Sequence, residues 1–259
     1  MRILLSNDDG ILAPGLAALR EALTALGEVS VVAPESPQSA MGHGITVYGP
    51  LAVKRTRIGN AFDGISVDGR PADCVKLAIT ELLESPPDLV VSGINDGANV
   101  SINVLYSGTV AAAAEGALLG FPAVAVSMER GQERDFKRAA RLSLPIIRRL
   151  LDNGLAPGQL ININLPDLAP GLPKGIRVAP QATRAMEDNF VRFAGPDGRD
   201  YYWLADGRFK HADPSESDLD AINEGFIAIT PLQFDLTQYK QLADLRGVEW
   251  LNEVAPEAF

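Results

Sequence analysis

Two adjacent carboxylates near the start of the chain are the first residues whose types and position could do chemistry. Residues 7–10 read Asn-Asp-Asp-Gly and follow the short apolar run of residues 3–5, which is typical of a buried strand. Adjacent carboxylates repel each other unless a cation lies between them, and hard oxygen ligands suit Mg²⁺ or Mn²⁺. A simple turn is the alternative, but it leaves two acids at the end of a buried strand unexplained. We therefore expect Asp8 and Asp9 to hold a divalent metal.

A second polar segment, residues 34–44, is rich in Pro, Ser and Gly and follows the second apolar segment. Ser39 in this loop could offer a hydroxyl to a metal or to a phosphate. A flexible connection is the simpler interpretation of the loop taken alone. His43 also lies here, but a single loop histidine is usually just exposed, so it carries little weight as an acid or base.

A third polar cluster comprises residues 92–99 and 106–109. Asn95 would supply a neutral oxygen ligand. Ser107, Gly108 and Thr109 lie where a loop becomes an alanine-rich helix. Free backbone N–H groups and the helix dipole favour a phosphate at such a point, and the two hydroxyls can donate to it. Ser107 could instead act only as an N-cap, an interpretation that is compatible with phosphate binding.

The signatures of several other enzyme classes are missing. The dinucleotide fingerprint G-x-G-x-x-G does not follow the first strand, and neither a P-loop nor a G-x-S-x-G elbow occurs. Asp8 and Asp9 do not form the D-x-D pattern of phosphatases that use an aspartyl-phosphate. These absences argue against dehydrogenases, ATPases and serine hydrolases.

The elements that must position these residues alternate between strands and helices over the first two thirds of the chain. Predicted strands cover residues 3–6, 29–33, 89–92, 123–127 and 160–164, and predicted helices begin at Pro14, near Pro71, at Gly108 and at Phe136. Residues 45–67 read as β-structure with turns at 49–50 and 63–64, and residues 93–106 as a long polar loop. The alternation predicts an α/β fold with a mostly parallel sheet and helices on both faces. Ligands of such sheets bind outside the carboxyl ends of the strands, where all three polar clusters fall.

The last third of the chain has a different character. Residues 181–220 are rich in Asp, Gly, Pro and aromatic residues and show little periodicity. One strand is predicted over residues 226–230, and the spacing of Tyr239, Leu242 and Leu245 indicates a terminal helix. Because this segment is too thin to form its own core, we expect it to pack on the main domain or reach a neighbouring subunit.

Composition excludes some partners. The 259 residues carry a formal net charge of −10, from 23 basic and 33 acidic side chains, so binding to duplex nucleic acid is disfavoured. A small anionic substrate would need a local cation, which a metal ion could provide. Cys74 is the only cysteine, so an internal disulfide and a cysteine zinc site are excluded. The chain shows neither a signal peptide nor a membrane-spanning apolar stretch, and we expect a cytoplasmic protein.

The motifs together resemble those of the SurE family, the stationary-phase survival proteins that act as 5′-nucleotidases. The resemblance is carried by Ser-Asn-Asp-Asp-Gly at residues 6–10, the loop with Ser39, Ser-Gly-Ile-Asn at 92–95, residues 106–113 and residues 225–232. It runs over nearly the whole chain and keeps the order of the motifs. Among its departures, Arg70 replaces a usual Thr and Ala98 a common Pro, changes that bear on substrate preference rather than on metal binding.

The resemblance implies a Rossmann-like catalytic core over residues 1–180. A C-terminal extension over residues 181–259 would comprise a β-hairpin arm, a core strand near 226–230 and a terminal helix. Exchange of these arms would build homodimers or homotetramers. The resemblance also implies one divalent metal ion per subunit, Mg²⁺ or Mn²⁺, and hydrolysis of nucleoside 5′- or 3′-monophosphates, with cleavage of short polyphosphate in some members.

The residues expected to carry this chemistry follow from the matched motifs. The metal would be held at Asp8, Asp9, Ser39 and Asn95. The substrate phosphate would be bound by Asn95, Ser107, Gly108 and Thr109. Asp8, Asp9 and Asn95 would be catalytic, and either aspartate could orient or deprotonate the attacking water.

Two other function classes are alternatives to this one. A metal-free nucleotide-binding or regulatory module on the same fold would explain the phosphate-like loop but would leave Asp8 and Asp9 without a partner. A purely structural oligomer protein would leave all three polar clusters unexplained.

Overall fold

The computed structural model describes residues 1–59, 62–131, 134–183, 186–209 and 216–248. The strands are β1 (Arg2–Ser6), β2 (Glu28–Pro34), β3 (Ala52–Ile58), β4 (Phe62–Asp68), β5 (Leu89–Asp96), β6 (Ala123–Met128), β7 (Leu160–Leu165), β8 (Ile176–Val178), β9 (Met186–Ala194), β10 (Asp200–Phe209) and β11 (Ile227–Leu232). The α-helices are α1 (Pro14–Leu23), α2 (Pro71–Leu77), α3 (Asn103–Tyr106), α4 (Gly108–Leu118), α5 (Phe136–Asp152), α6 (Asp218–Asn223) and α7 (Tyr239–Arg246), and a π-helical turn, Ala78–Leu82, continues α2.

Nine of these strands form one sheet in the order β3-β4-β2-β1-β5-β6-β7-β11-β8. The central strands from β4 to β7 are parallel, whereas β3 and β11 run antiparallel to β4 and β7. The predicted α/β fold with a mostly parallel sheet is confirmed. Because β1, β5 and β6 are neighbours, the residues that follow them meet at one edge of the sheet.

Helices cover both faces of the sheet, as predicted. Alternate residues of β1 show how: Ile3 and Leu5 belong to a core that includes residues of α1 and α5, whereas Leu4 belongs to a core shared with α2 and α4. The two apolar layers explain why the central strands are nearly continuous runs of Val, Ile, Leu and Ala.

Two local predictions were wrong. Residues 63–64 do not form a turn but lie inside β4, where a side chain at Gly64 would crowd Ile11 and Val31. Residues 93–106 are not one loop, since β5 continues to Asp96 and α3 follows. Strand pairing overrides the local turn composition in both places: residues 63–64 pair with β3, and Asn95 and Asp96 pair with β6.

The described C-terminal region contains the β9–β10 hairpin, the strand β11 and the helix α7. β9 and β10 pair as a separate two-stranded antiparallel sheet, and β11 joins the main sheet between β7 and β8. No helix in the described ranges is long and apolar enough to cross a membrane.

Candidate active site

A pocket of about 970 Å³ lies at the carboxyl ends of β1, β5 and β6. All four predicted metal ligands line it: Asp8, Asp9, Ser39 and Asn95. The other lining residues include Asp96, Asn99, Asn103, Tyr106, Ser107, Arg130, Thr183 and Leu204. A smaller pocket of about 430 Å³ lies at the amino ends of β1, β2 and β4 and contains none of the predicted ligands. The larger pocket is therefore the candidate site.

Asp8 is the most enclosed of the predicted ligands, with 4% of its surface exposed. The hydroxyl of Thr109 donates a hydrogen bond to its Oδ1. A Cβ atom at Gly108 would lie 2.6 Å from the Cβ of Asp8, so only glycine lets the first turn of α4 pack this closely. The Thr109 side chain is fully buried, so its hydrogen bond to Asp8 lies on the side of the carboxylate away from solvent.

Asp9 lies at the more open side of the pocket. Its Oδ2 accepts a hydrogen bond from the backbone N–H of Asp96 at 3.2 Å. The Asp96 carboxylate in turn pairs with Arg130 and Arg134, whose Nε atoms lie 3.7 and 3.3 Å from its Oδ2. Asp9 is thus fixed by the end of β5, and two guanidinium groups stand beside it.

The two adjacent carboxylates are held in an environment that opposes their charge. Burial raises the pKa of Asp8 to about 6; the Thr109 hydrogen bond acts in the opposite direction, and the charge of Asp9 adds to the rise. Burial also raises the pKa of Asp9, while the hydrogen bond from Asp96 lowers it. A cation between the two carboxylates would relieve both effects.

The donor set fits a hard divalent cation. Asp8, Asp9, Ser39 and Asn95 present only oxygen donors, once the Asn95 side-chain NH₂ is committed to the backbone carbonyl of Gly97 at 2.7 Å. Within the described ranges, no three His, Cys, Asp or Glu side chains come together as a metal cluster. Two carboxylates with neutral oxygens and retained waters are the pattern that Mg²⁺ accepts.

Ser39 and Ser107 reach the pocket from loops. Ser39 is exposed, and its loop is anchored where the N–H of Gln38 donates to the carbonyl of Asp8 at 2.7 Å. The Ser107 hydroxyl accepts from the N–H of Val110 at 3.0 Å, so the N-cap interpretation of Ser107 is confirmed.

Sequence reasoning missed a buried polar network beneath the pocket. Asn164 Oδ1 accepts from the N–H of Asn99 at 2.7 Å, and the side chain of Asn162 donates to the Asn99 carbonyl at 2.8 Å. Asn162 and Asn164 are fully buried on β7 and hold the loop that follows β5. The signal was present, because asparagines at alternate positions of an otherwise apolar strand need buried partners.

The fold and the pocket define a class of protein: an α/β protein with a pocket lined by oxygen donors at the carboxyl edge of its parallel strands. Residues 3–188 match the model of the family described as Survival protein SurE. The chain therefore belongs to the SurE family.

Similarity to known proteins extends over nearly all of the chain. The 5′-nucleotidase SurE 1 of Thermus thermophilus is 47% identical over 99% of this chain and 100% of its own length. The 5′-nucleotidase SurE of Pelotomaculum thermopropionicum is 46% identical over 95% of this chain and 94% of its own length. The crystal structure of the SurE protein from Aquifex aeolicus superposes with a TM-score of 0.81 at 39% identity, covering 95% of this chain and 98% of that one.

The raised pKa of Asp8 gives a stability prediction for the metal-free protein. A neutral Asp8 stabilises the fold fully below its ordinary pKa of 3.8, and this contribution is lost as the pH rises through about 6. In EDTA, Asp8→Asn should raise the free energy of unfolding by on the order of 3 kcal/mol at pH 7.5 and about 1 kcal/mol at pH 4.5. Urea unfolding at the two pH values measures the difference, and the exposed Asp63→Asn controls for loss of a negative charge. An equal gain at both pH values would contradict the prediction.

Proposed function

We propose that the chain is a divalent-metal-dependent phosphatase that hydrolyses nucleoside 5′- and 3′-monophosphates to nucleoside and phosphate. Short-chain polyphosphate is a second substrate class to be tested. The observation that carries the proposal is the enclosed pair Asp8 and Asp9, lying in the pocket against the amino end of α4. The relatives named 5′-nucleotidase support it.

One divalent ion per subunit, Mg²⁺ or Mn²⁺, would be held by Asp8, Asp9, Ser39 and Asn95. When bound, such an ion neutralises charge on a phosphoryl group and lowers the pKa of a water molecule. The carboxylates contribute the negative charge that selects the cation, and one of them orients or deprotonates the attacking water.

The start of α4 would bind the phosphate oxygens that do not contact the metal ion. The first N–H groups of a helix have no partner within the helix, and anions bind at this amino end. In α4 the first residues are Gly108 and Thr109. The hydroxyl and the backbone N–H of Thr109 both hydrogen-bond the Asp8 carboxylate, so Thr109 would serve the phosphate site by fixing Asp8 beside it. Ser107 and Asn95 line the same pocket and complete the phosphate cradle. Positioning and charge stabilisation of this kind supply most of the catalysis in phosphoryl transfer.

The competing function is a metal-free nucleotide-binding module on the same fold. It would use the α4 phosphate cradle but gives no reason for two enclosed carboxylates beside it. Sensitivity to a chelator separates the two functions.

Protein freed of metal should release phosphate from adenosine 5′-monophosphate and from a generic aryl phosphate only after addition of Mg²⁺ or Mn²⁺. The reason is that two carboxylates alone would repel the substrate phosphate. A colorimetric phosphate assay with and without EDTA makes the measurement. If folded protein releases no phosphate with any divalent metal, the binding-module function is favoured instead.

Asp9→Asn and Asn95→Ala should each lower turnover at least about 100-fold, the scale of losing one group that stabilises transition-state charge. Their thermal unfolding should stay close to that of the unaltered protein, since both side chains line the pocket rather than the apolar core. Steady-state kinetics and thermal melts measure the two effects. The matched controls, Asp63→Asn and Asn153→Ala, alter exposed side chains away from the pocket. Full activity in either site variant would refute the assignment.

We further propose residues 1–180 as the catalytic core and residues 181–259 as an extension that builds a homodimer or homotetramer. A two-stranded hairpin alone is marginally stable in water, yet β9 and β10 expose large apolar side chains. Val191 and Trp203 pair across the strands, with 54% and 71% of their surfaces exposed. We also propose a cytoplasmic location, which the single Cys74 supports.

Trp203→Ser should shift the protein toward the monomer, because it removes the largest exposed apolar side chain of the hairpin. Light scattering coupled to size-exclusion chromatography measures the mass. Leu172→Ser, at an exposed apolar position outside the hairpin, serves as the control. An unchanged mass for Trp203→Ser, or an equal shift for Leu172→Ser, would count against an assembly through the arm.

A further inference from the structure

One enclosed acid, Glu115, has no part in the proposed chemistry. It lies within α4 with 5% of its surface exposed, among the alanines that pack the helix against the sheet. Burying an unpaired carboxylate is costly, so a charge at this position needs partners. The identity of those partners indicates what Glu115 does.

Glu115 binds two basic side chains from two different elements. Oε2 lies 2.9 Å from Nε2 of His43, and Oε1 lies 3.0 Å from Nζ of Lys76 on α2. The His43 hydrogen bond is the largest influence on the pKa of Glu115 and lowers it, although burial acts in the opposite direction. The carboxylate therefore ties both α2 and the loop of residues 35–44 to α4.

The tie through His43 acts on the loop that carries Ser39. On one side of Ser39, the N–H of Gln38 donates to the Asp8 carbonyl at 2.7 Å. On the other side, the N–H of Gly42 donates to the Tyr106 carbonyl at 2.9 Å, and His43 follows immediately. The loop is therefore held on both sides of Ser39: by the bond from Gln38 to Asp8, and by the contact of His43 with Glu115 on α4.

The contacts beyond His43 fix a different part of the chain. Arg70, at the start of α2, donates to the carbonyl of Ile45 at 3.4 Å, and Thr46 donates to the Asp73 carboxylate at 2.9 and 2.7 Å through its N–H and its hydroxyl. These bonds fix residues 45–46, which lead from the loop toward β3, against the start of α2. Within the described part of the chain, the side-chain contact that joins residues 35–44 to α4 is the bond between His43 and Glu115.

We propose that the His43–Glu115 contact is a positioning device that holds Ser39 at the metal site. His43 and Glu115 are positioning residues: they act through the loop and do not touch substrate. The inference rests on the proposed function, because it takes Ser39 as a ligand of the divalent ion.

Lys76 provides a matched control within the same cluster. It contacts the same carboxylate as His43, so removing either side chain takes one polar partner from Glu115. Lys76 lies on α2 and has no bond to the loop, whereas His43 belongs to the loop. A merely structural role for the cluster would make the two variants alike, and a positioning role separates them.

The experiment compares His43→Leu, His43→Gln and Lys76→Met in the full chain. Mn²⁺ binding is followed by the electron paramagnetic resonance signal of the free ion, and hydrogen exchange of residues 38–44 is measured in EDTA. His43→Leu should weaken Mn²⁺ binding about tenfold, the scale of losing an outer-shell partner, and should speed exchange of the loop. His43→Gln, which keeps a donor for Glu115, should restore most of both properties, and Lys76→Met should leave both within about twofold of the unaltered protein.

Unchanged Mn²⁺ binding in His43→Leu, or an equal loss in Lys76→Met, would overturn the proposal. If the unaltered protein binds no Mn²⁺, the proposed function fails and with it the role of Ser39. The exchange measurement in EDTA is independent of metal and still tests whether His43 holds the loop.

Discussion

The site depends on one buried contact, between the Asp8 carboxylate and the first turn of α4. Asp8 follows β1, α4 lies beyond β5, and these two strands are neighbours in the sheet. Gly108 allows the helix to approach, and the Thr109 hydroxyl meets the carboxylate. The amino end of a helix carries a partial positive charge, which offsets part of the cost of burying Asp8. The same end of the helix also faces the space where a phosphate would bind, so one packing contact positions both halves of the proposed chemistry.

Around this contact, hydrogen bonds between side chains and the backbone, and one between two side chains, hold the polar segments of the pocket. The Asp96 N–H holds Asp9, Asn162 and Asn164 hold the segment at Asn99, and His43 ties the Ser39 loop to α4. Segments without regular structure thus gain fixed positions without adding strands or helices. Such preorganisation matters because catalysis through positioning is lost when donors drift from the reacting atoms. Its cost is a buried set of acids and amides that stabilise the fold less than apolar side chains would.

Much of the core could be predicted from the sequence, because apolar periodicity and turn residues there agree with the tertiary structure. The strands that contain Leu4, Val90 and Val124 and the helix that begins at Gly108 are examples. The hydrogen bond between Thr109 and Asp8 could not be predicted, since it joins residues far apart in the chain and depends on the order of the strands. The same holds for His43, whose local surroundings indicated an exposed side chain. Helix α6 and the short β8 were missed because their residues carry little periodicity, and they are held by packing against β11.

The place of β11 in the sheet has a consequence for how the chain reaches its final form on the ribosome. β7 is bordered by β6 on one side and by β11 on the other, and β11 is made only after the hairpin has been synthesised. Until then, the outer edge of β7 presents unpaired backbone groups, the kind of edge that recruits foreign strands. Synthesis of β9 and β10 prolongs this interval. Every residue proposed for the site is therefore synthesised before the strand that covers this edge of β7.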